Sequence, residues 1–179
     1  MVVFHATWSI NAMAAIPTPL TLRQNLIEAQ AGRVLFRDGA VGTANLICPV
    51  PADLKWNPPL GQGSPIASLF LTYQDSGGHG GQAGVSAALR FIRMVDGKPD
   101  GLSAGQVQTV PKSDVSSNSP GAPLSGGSGG WATHRSCSPP VSMNSTHNFD
   151  PTINYYYVQI TLTRNQPIFS CAAMGVILD

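Results

Sequence analysis

The segment NYYYVQITLTR, residues 154–164, is the feature of this sequence that most constrains its fold. Apolar and polar side chains alternate along it, which is the period of a β-strand with one buried face. A register shift of one residue would bury Gln159 and Thr161 instead of the apolar set. We therefore predict a strand whose core-facing residues are Tyr156, Val158, Ile160 and Leu162.

Further segments alternate in the same way. VSAALRFIRMV, from residue 85, places Val85, Ala87, Leu89 and Phe91 on one face. Short connections with Gly, Asp or Pro separate PIASLFLTYQD from VSAALRFIRMV, AGRVLFRDG from VGTANLICPVP, and NYYYVQITLTR from the closing IFSCAAMGVIL. Because such residues favour tight turns, we predict that each of these three pairs forms an antiparallel hairpin.

Three other segments have different predictions. Val2 to Ile10 is predicted as a strand. For LTLRQNLIEAQAG two interpretations stay open, an extended segment or a short helix with Thr21 as its cap and Gly32 as its stop. The tract at residues 111–140, rich in Ser, Gly and Pro, is predicted to be a long loop.

Composition agrees with a β-rich fold. The chain has 19 Gly and 15 Pro, and charged residues make up 11% of it, less than half of the roughly 25% usual for soluble domains. Its length suits one core. We predict an all-β fold, an antiparallel β-sandwich or jelly roll of about seven to nine strands with one long Gly/Ser/Pro loop. Residues 1–19 are predicted to be an apolar strand and linker, and residues 20–179 the sandwich domain.

The charge pattern narrows the classes of partner. Ten Lys and Arg balance nine Asp and Glu, and the cations are not clustered, so nucleic acid is not an expected partner. No apolar stretch has the length of a membrane span. A surface with so few charges suits a protein that packs against copies of itself.

Catalytic and metal-binding patterns are not found in the sequence. Glu28 is the only glutamate, and neither a nucleophile elbow nor a phosphate loop occurs. Cysteine and histidine spacings that suit zinc do not occur either. We therefore expect a protein that is not an enzyme and has no cofactor. His79 and His147 each have two open interpretations, a solvated side chain or a functional one.

The three cysteines are Cys48, Cys137 and Cys171. Cys48 and Cys171 lie in apolar strands, and a bond between them would close a loop of more than a hundred residues, which would stabilise the fold by roughly 4 kcal/mol in the chain-entropy model. We predict this disulfide. The alternatives are that both are small buried thiols, or that Cys137 in the polar tract pairs with Cys48 or with another molecule.

The motifs LICPVP, LTYQD, STHNFD followed by NYYYVQITLTR, and the closing GVILD resemble a widespread group of uncharacterised bacterial proteins. The resemblance spans Arg33 to the C-terminus and implies a β-sandwich located outside the cell or on its surface, without a known reaction. The first residues have no Lys or Arg before their apolar part, so the signal peptide of an exported form is expected to be trimmed from this numbering. Members of the group often carry a further Cys where this chain has Ala15 before Ile16.

Two classes of function remain. We favour a structural subunit of an extracellular assembly that packs with copies of itself; the alternative is a binding module for a glycan or a surface ligand, in which Trp8, Trp56, Trp131 or Tyr155 to Tyr157 would form a stacking platform. Residues 1–16 carry no charged side chain and precede a Pro-Thr-Pro sequence, so this strand can fold back on its own sheet or complete the sheet of a neighbour. The residues predicted to mediate assembly are Val2, Val3, Phe4, Trp8 and Ile10.

Overall fold

A computed structural model of the protein describes residues 8–54, 68–96, 101–125, 130–138, 141–143 and 146–179. In these ranges the chain forms twelve strands, one short helix, α1 (Pro19–Gln24), and 3₁₀ turns at Ala12–Ala14 and Gly78–Gly80. The strands are β1 (Trp8–Asn11), β2 (Ile16–Pro17), β3 (Ile27–Gln30), β4 (Arg33–Phe36), β5 (Gly42–Pro49), β6 (Leu69–Asp75), β7 (Ala83–Arg93), β8 (Val107–Thr109), β9 (Val115–Ser116), β10 (Ala132–Arg135), β11 (Asn154–Arg164) and β12 (Cys171–Leu178).

The strands make two antiparallel sheets. The first sheet has the order β10-β6-β12-β4-β3, with β1 also paired to β12. The second has the order β2-β5-β11-β7-β8, with β9 also paired to β7. Apolar side chains from both sheets form one core, so the predicted all-β sandwich is confirmed. The strands outnumber the prediction because several contain only two to four residues, too few for alternation to be recognised.

The second sheet is regular at its centre. Strand β11 pairs without interruption with β7 along its whole length and with β5 from Tyr157 to Arg164. The predicted core-facing residues of β11 are buried, whereas Gln159 and Thr161 lie on the outer face and are half-buried. The register predicted from alternation is therefore confirmed.

The first sheet is interrupted at its centre. Strand β12 pairs with β6 on one side, with a register shift between Ala173 and Gly175. On its other side β12 pairs first with β4 and then with β1. A Cβ atom at Gly175 would overlap the carbonyl oxygen of Ile10 and lie 3.3 Å from the Cα atom of Asn11. Glycine at this position therefore allows β1 to approach β12 closely.

The three predicted hairpins are wrong. Each of the connections β4–β5, β6–β7 and β11–β12 links a strand of the first sheet to a strand of the second. Gly and Asp turn residues serve such crossings as well as hairpins, and alternation defines a buried face without defining a partner. A two-residue hairpin occurs instead between β3 and β4, where Ala31 and Gly32 have φ angles of 49° and 82°.

Within the first fifty residues, the segment with two open interpretations contains both a short helix and a strand. Helix α1 is capped by Thr18, whose side chain accepts a hydrogen bond from the Thr21 amide, and it ends at Asn25 with a φ of 51°. Pro19 suits the first helical position because its missing amide has no partner there anyway. The residues after Asn25 form β3 rather than a longer helix. Since β1 and β2 pair with β12 and β5, residues 8–17 belong to the sandwich of this chain; exchange between copies remains a prediction.

The tract predicted as a loop contains β9 and β10. Its serines explain why polarity misled the prediction. Ser113 and Ser117 are buried, and their hydroxyl groups bond the backbone of β7. A segment rich in Ser can therefore be fastened to a sheet by side chains where a regular strand would use its backbone.

Candidate functional site

The residues predicted to mediate assembly lie partly in the first described strand. Trp8 and Ile10 are half-buried in β1 and pack against the core. Val2, Val3 and Phe4 lie outside the described residues. The structure thus places Trp8 and Ile10 in an intramolecular sheet, next to β12.

The segment that follows β1 is fastened to both sheets by hydrogen bonds. The Asn11 side chain accepts a bond from the Met13 amide and donates one of 2.8 Å to the carbonyl of Gly32, in the β3–β4 turn. On the second sheet, the hydroxyl of the buried Thr21 accepts a 2.8 Å bond from the Asn45 amide. Helix α1 therefore covers the edge of β5.

An apolar groove of about 250 Å³ lies between this segment and strands β3 and β4. We call it the apolar groove. Its lining includes polar groups from Asn25, Glu28 and Arg37. The apolar side chains that line it include Met13, Pro17, Leu22, Ile27, Val34 and Leu46.

Exposed apolar side chains accompany the groove. Thirteen large apolar side chains of the described residues are exposed, and four of them fall within residues 13–22. Exposed apolar residues scattered singly are normal on soluble proteins, whereas a local concentration marks an interaction surface. The four are Met13, Ile16, Leu20 and Leu22.

A second cavity, of about 340 Å³, lies on the outer face of the second sheet. We call it the polar pocket. Strands β7 and β11 supply Ser86, Arg90, Gln159 and Thr161, which all point outward in the alternation of their strands. Residues 114–116 supply Asp114 and Ser116. Three hydroxyls, an amide, a cation and a carboxylate thus face one space.

Side-chain hydrogen bonds between β5 and β11 hold part of this pocket in place. The side-chain oxygen of Asn45 accepts a 2.9 Å bond from the side-chain nitrogen Nε2 of Gln159 and a 2.8 Å bond from the Thr161 hydroxyl. Because the amide nitrogen of Gln159 points towards Asn45, its side-chain oxygen remains able to accept a bond from a ligand. No described residue donates a hydrogen bond to that oxygen.

The other wall of the pocket is positioned by buried serines. The Ser113 hydroxyl accepts a bond from the Leu89 amide and donates one of 2.7 Å to the carbonyl of Val110. The Ser117 hydroxyl accepts a 2.9 Å bond from the Val85 amide. Asp114 and Ser116 lie between these two fixed points, where β9 also pairs with β7, so the serines and the strand pairing together place them beside β7.

Ser117 also belongs to a buried polar cluster around Asp75. Its hydroxyl donates a 2.6 Å bond to one carboxylate oxygen of Asp75, and the Gly77 amide donates to the other. The Ser125 hydroxyl bonds both the amide and the carbonyl of Asp75. This cluster ties residues 117–125 to the β6–β7 connection.

The predicted disulfide between Cys48 and Cys171 is not formed: both thiols are buried and free. Cys48 lies opposite Val158 of β11, whereas the Cys171 thiol donates a 3.1 Å bond to the carbonyl of Gly84, which is opposite Thr163. These positions differ by five residues along β11, roughly 16 Å at the rise of a strand. A disulfide needs Cα atoms within about 7 Å. Burial raises the pKa of each thiol to about 12.

The histidines of the described residues are dispersed. His79 bonds the Ala122 carbonyl at 3.1 Å, and His147 bonds the Tyr156 hydroxyl at 3.0 Å. Burial, with a smaller effect from the Arg135 charge, lowers the pKa of His134. No group of three His, Cys, Asp or Glu side chains in the described ranges is arranged to hold a metal ion.

In the described part of the chain, the aromatic residues predicted to form a glycan platform lie on different strands, with Trp8 in β1, Trp131 next to β10 and Tyr155 to Tyr157 in β11. Tyr155 is exposed and stacks on Tyr157 with 6.4 Å between ring centroids. Tyr156 and Tyr157 are buried. Trp131 is half-buried, and Trp56 lies outside the described residues.

Sequence reasoning placed the outward residues of β7 and β11 on polar faces but did not assemble the polar pocket. Asp114 and Ser116 lie in the tract that was predicted as a loop. The sequence feature that could have placed them beside β7 is the pair Ser113 and Ser117, which flank them. These serines can be recognised as contacts with β7 only when the backbone groups of β7 that lack a strand partner are known.

Comparisons with known proteins find no relative of this chain. No family model, no curated protein and no solved structure matches the chain. Among the described residues, no helix has the length and apolar character needed to cross a membrane.

Proposed function

We propose that this chain is a non-enzymatic structural subunit of an extracellular assembly, built by packing of β-sandwiches against copies of themselves. The apolar groove and the four exposed apolar side chains beside it are the contact surface. The extracellular location is taken from the resemblance to the bacterial group described above. The concentration of exposed apolar side chains in residues 13–22 is the observation that carries the proposal.

The position of this surface supports association between copies. The groove lies beside β3, which ends the first sheet, and near β2, which ends the second. Strand edges present backbone groups without strand partners, and a second chain can pair with them. Burial of Leu22 and Met13 against a second copy would add the apolar contribution of roughly 25 cal/mol for each Å² removed from water.

The N-terminal residues supply a specific mode of association. If β1 is exchanged, it makes with β12 of a neighbour the same pairing that it makes here within one chain. Gly175 permits that pairing in either case, because the close approach concerns backbone atoms alone. In this mode Val2, Val3 and Phe4 travel with the exchanged strand to the neighbouring copy.

Leu22→Glu tests the apolar contact. Leu22 is 63% exposed, so the charge should leave the folded chain intact and weaken association at least tenfold. Leu124→Glu is the matched control, because Leu124 is 67% exposed and lies beside Gly78 at the β6–β7 connection. Light scattering over a wide concentration range measures both. A monomeric wild-type chain at every concentration, or equal losses in the two variants, would overturn the proposal.

Deletion of residues 1–7 tests the mode of association while leaving β1 in place. A truncated chain that folds but no longer associates supports exchange of the N-terminal strand. A truncated chain that associates as before shows that Val2, Val3 and Phe4 are not needed for the contact, which then rests on the apolar groove or on β1 itself. Circular dichroism establishes that the truncated chain remains folded.

A further inference from the structure

The polar pocket has hydrogen-bonding groups that the protein itself does not use. The Nε atom of Arg90 is shielded from solvent and has no hydrogen-bond partner among the described residues. Shielded donors are normally bonded to something. Arg90 lines the pocket, so the remaining nitrogens of its guanidinium group, rather than the shielded Nε, can donate to a ligand seated there.

Acceptors face the same space. The side-chain oxygen of Gln159 is left to accept, since its amide nitrogen already donates to Asn45. The carboxylate of Asp114 is exposed, and no described residue bonds it. The hydroxyls of Ser86 and Ser116 can each donate and accept, whereas that of Thr161 already donates to Asn45 and can only accept.

The charges in the pocket select against ionic ligands. Arg90 and Asp114 both line it, so an anion would face the carboxylate and a cation would face the guanidinium. A neutral ligand with many closely spaced donors and acceptors satisfies both groups. Hydroxyl groups on a sugar ring have this character, because each of them donates and accepts.

The location of the pocket argues against a peptide strand as its ligand. A peptide that pairs with a sheet needs an exposed strand edge, whereas the pocket floor is the face of β7 and β11, two strands paired on both sides. Binding on a face proceeds through side chains. The pocket walls are also fixed beforehand by Asn45 and Ser113, which reduces the ordering cost of binding.

We propose that the polar pocket is a saccharide-binding site, in which Arg90 donates to ring or hydroxyl oxygens and Gln159 and Asp114 accept from sugar hydroxyls. No described residue lines both this site and the apolar groove, so the two sites are separate. Saccharide binding and self-association are therefore independent functions of one chain. If saccharide binding is not found, the proposal of self-association still stands, and the reverse is also true.

Titration calorimetry of the full chain with cellopentaose, maltopentaose, chitopentaose and galactopentaose tests the proposal, with inorganic phosphate as the ionic probe. We expect at least one oligosaccharide to bind and phosphate not to bind. Asp114→Asn and Gln159→Ala should each weaken the binding about tenfold or more, the effect of removing a hydrogen bond to a charged or well-placed polar group.

Asp38→Asn is the matched control, because Asp38 is also an exposed aspartate and lies in the β4–β5 connection. It should leave the affinity unchanged. Circular dichroism of each variant excludes loss of the fold. The proposal is overturned if none of the four oligosaccharides binds, if phosphate alone binds, or if Asp38→Asn weakens binding as much as Asp114→Asn does.

Discussion

The two sheets of this sandwich differ in how their central strands are paired. In the second sheet, β11 has an unbroken partner on each side. In the first sheet, β12 has a register shift on one side and two successive partners, β4 and β1, on the other. A strand with continuous partners opens only when the whole sheet opens, whereas a strand with divided partners can lose one of them locally. We therefore expect the second sheet to define global stability and the first sheet to open in parts.

The largest expected effect is that of Ile160→Ala in the second sheet. Ile160 is fully buried at the centre of β11, and removal of its side chain should lower the free energy of unfolding by about 4 kcal/mol. Hydrogen exchange should accelerate in both sheets, because the change acts on global opening. Ile177→Ala, at an exposed position of β12, should change the free energy by no more than about 0.5 kcal/mol. Acceleration confined to the second sheet would refute its global role.

The difference between the sheets also explains what could be predicted from sequence. The buried and outward faces of β7 and β11 were predicted correctly, because strands of eleven residues show alternation clearly. Alternation reports the face of a strand and carries no information on its neighbour. The three connections were consequently predicted as hairpins although they cross between sheets.

The candidate sites were less accessible to prediction. The polar pocket unites outward residues of long strands with Asp114 and Ser116, whose position depends on Ser113 bonding the backbone of β7. That contact is distant in sequence and leaves no periodic pattern. The same reason applies to the cysteines, since the prediction of a disulfide required the register of β5 against β11 and the place at which Cys171 of β12 meets β7.

The next effect in size is that of Gly175→Ala in the first sheet. The added Cβ would overlap the Ile10 carbonyl, and backbone atoms cannot move aside as a flexible side chain can. We expect a loss of about 2–3 kcal/mol in the free energy of unfolding. Amide exchange should accelerate in β1 and in residues 175–178, while β11 and β7 keep their protection until global unfolding.

Gly121→Ala is the control for this change, because no atom lies within 4 Å of a Cβ placed there. Its free energy of unfolding should stay within about 0.5 kcal/mol of the wild type. Equal acceleration of exchange in β1 and β11 would mean that the two sheets open as one unit. That result would contradict the expectation that the first sheet opens in parts while the second opens only on global unfolding.

The smallest expected effect is a difference of about tenfold in the labelling rates of the two buried thiols, one in each sheet. The thiolate is the reactive form, and burial raises the pKa of both Cys48 and Cys171 from 9.0 to about 12. At pH 8 roughly one buried thiol in ten thousand would be ionised. Labelling therefore proceeds through opened states, in which the thiols regain their ordinary pKa, and the two rates compare local opening of the two sheets.

Mass spectrometry with iodoacetamide measures these rates residue by residue. We expect the half-buried Cys137 to react first, Cys171 at the start of β12 next, and Cys48, paired opposite the centre of β11, last. From pH 8 to pH 9 both slow rates should rise about fivefold and keep their ratio, because the thiolate fraction of the opened states rises equally. Since the native pKa values lie above 9.0, unfolding releases protons above that pH, and stability should fall as pH rises from 9 towards 12. If Cys48 reacted before Cys171, the second sheet would open more readily than the first, which is the reverse of the order expected here.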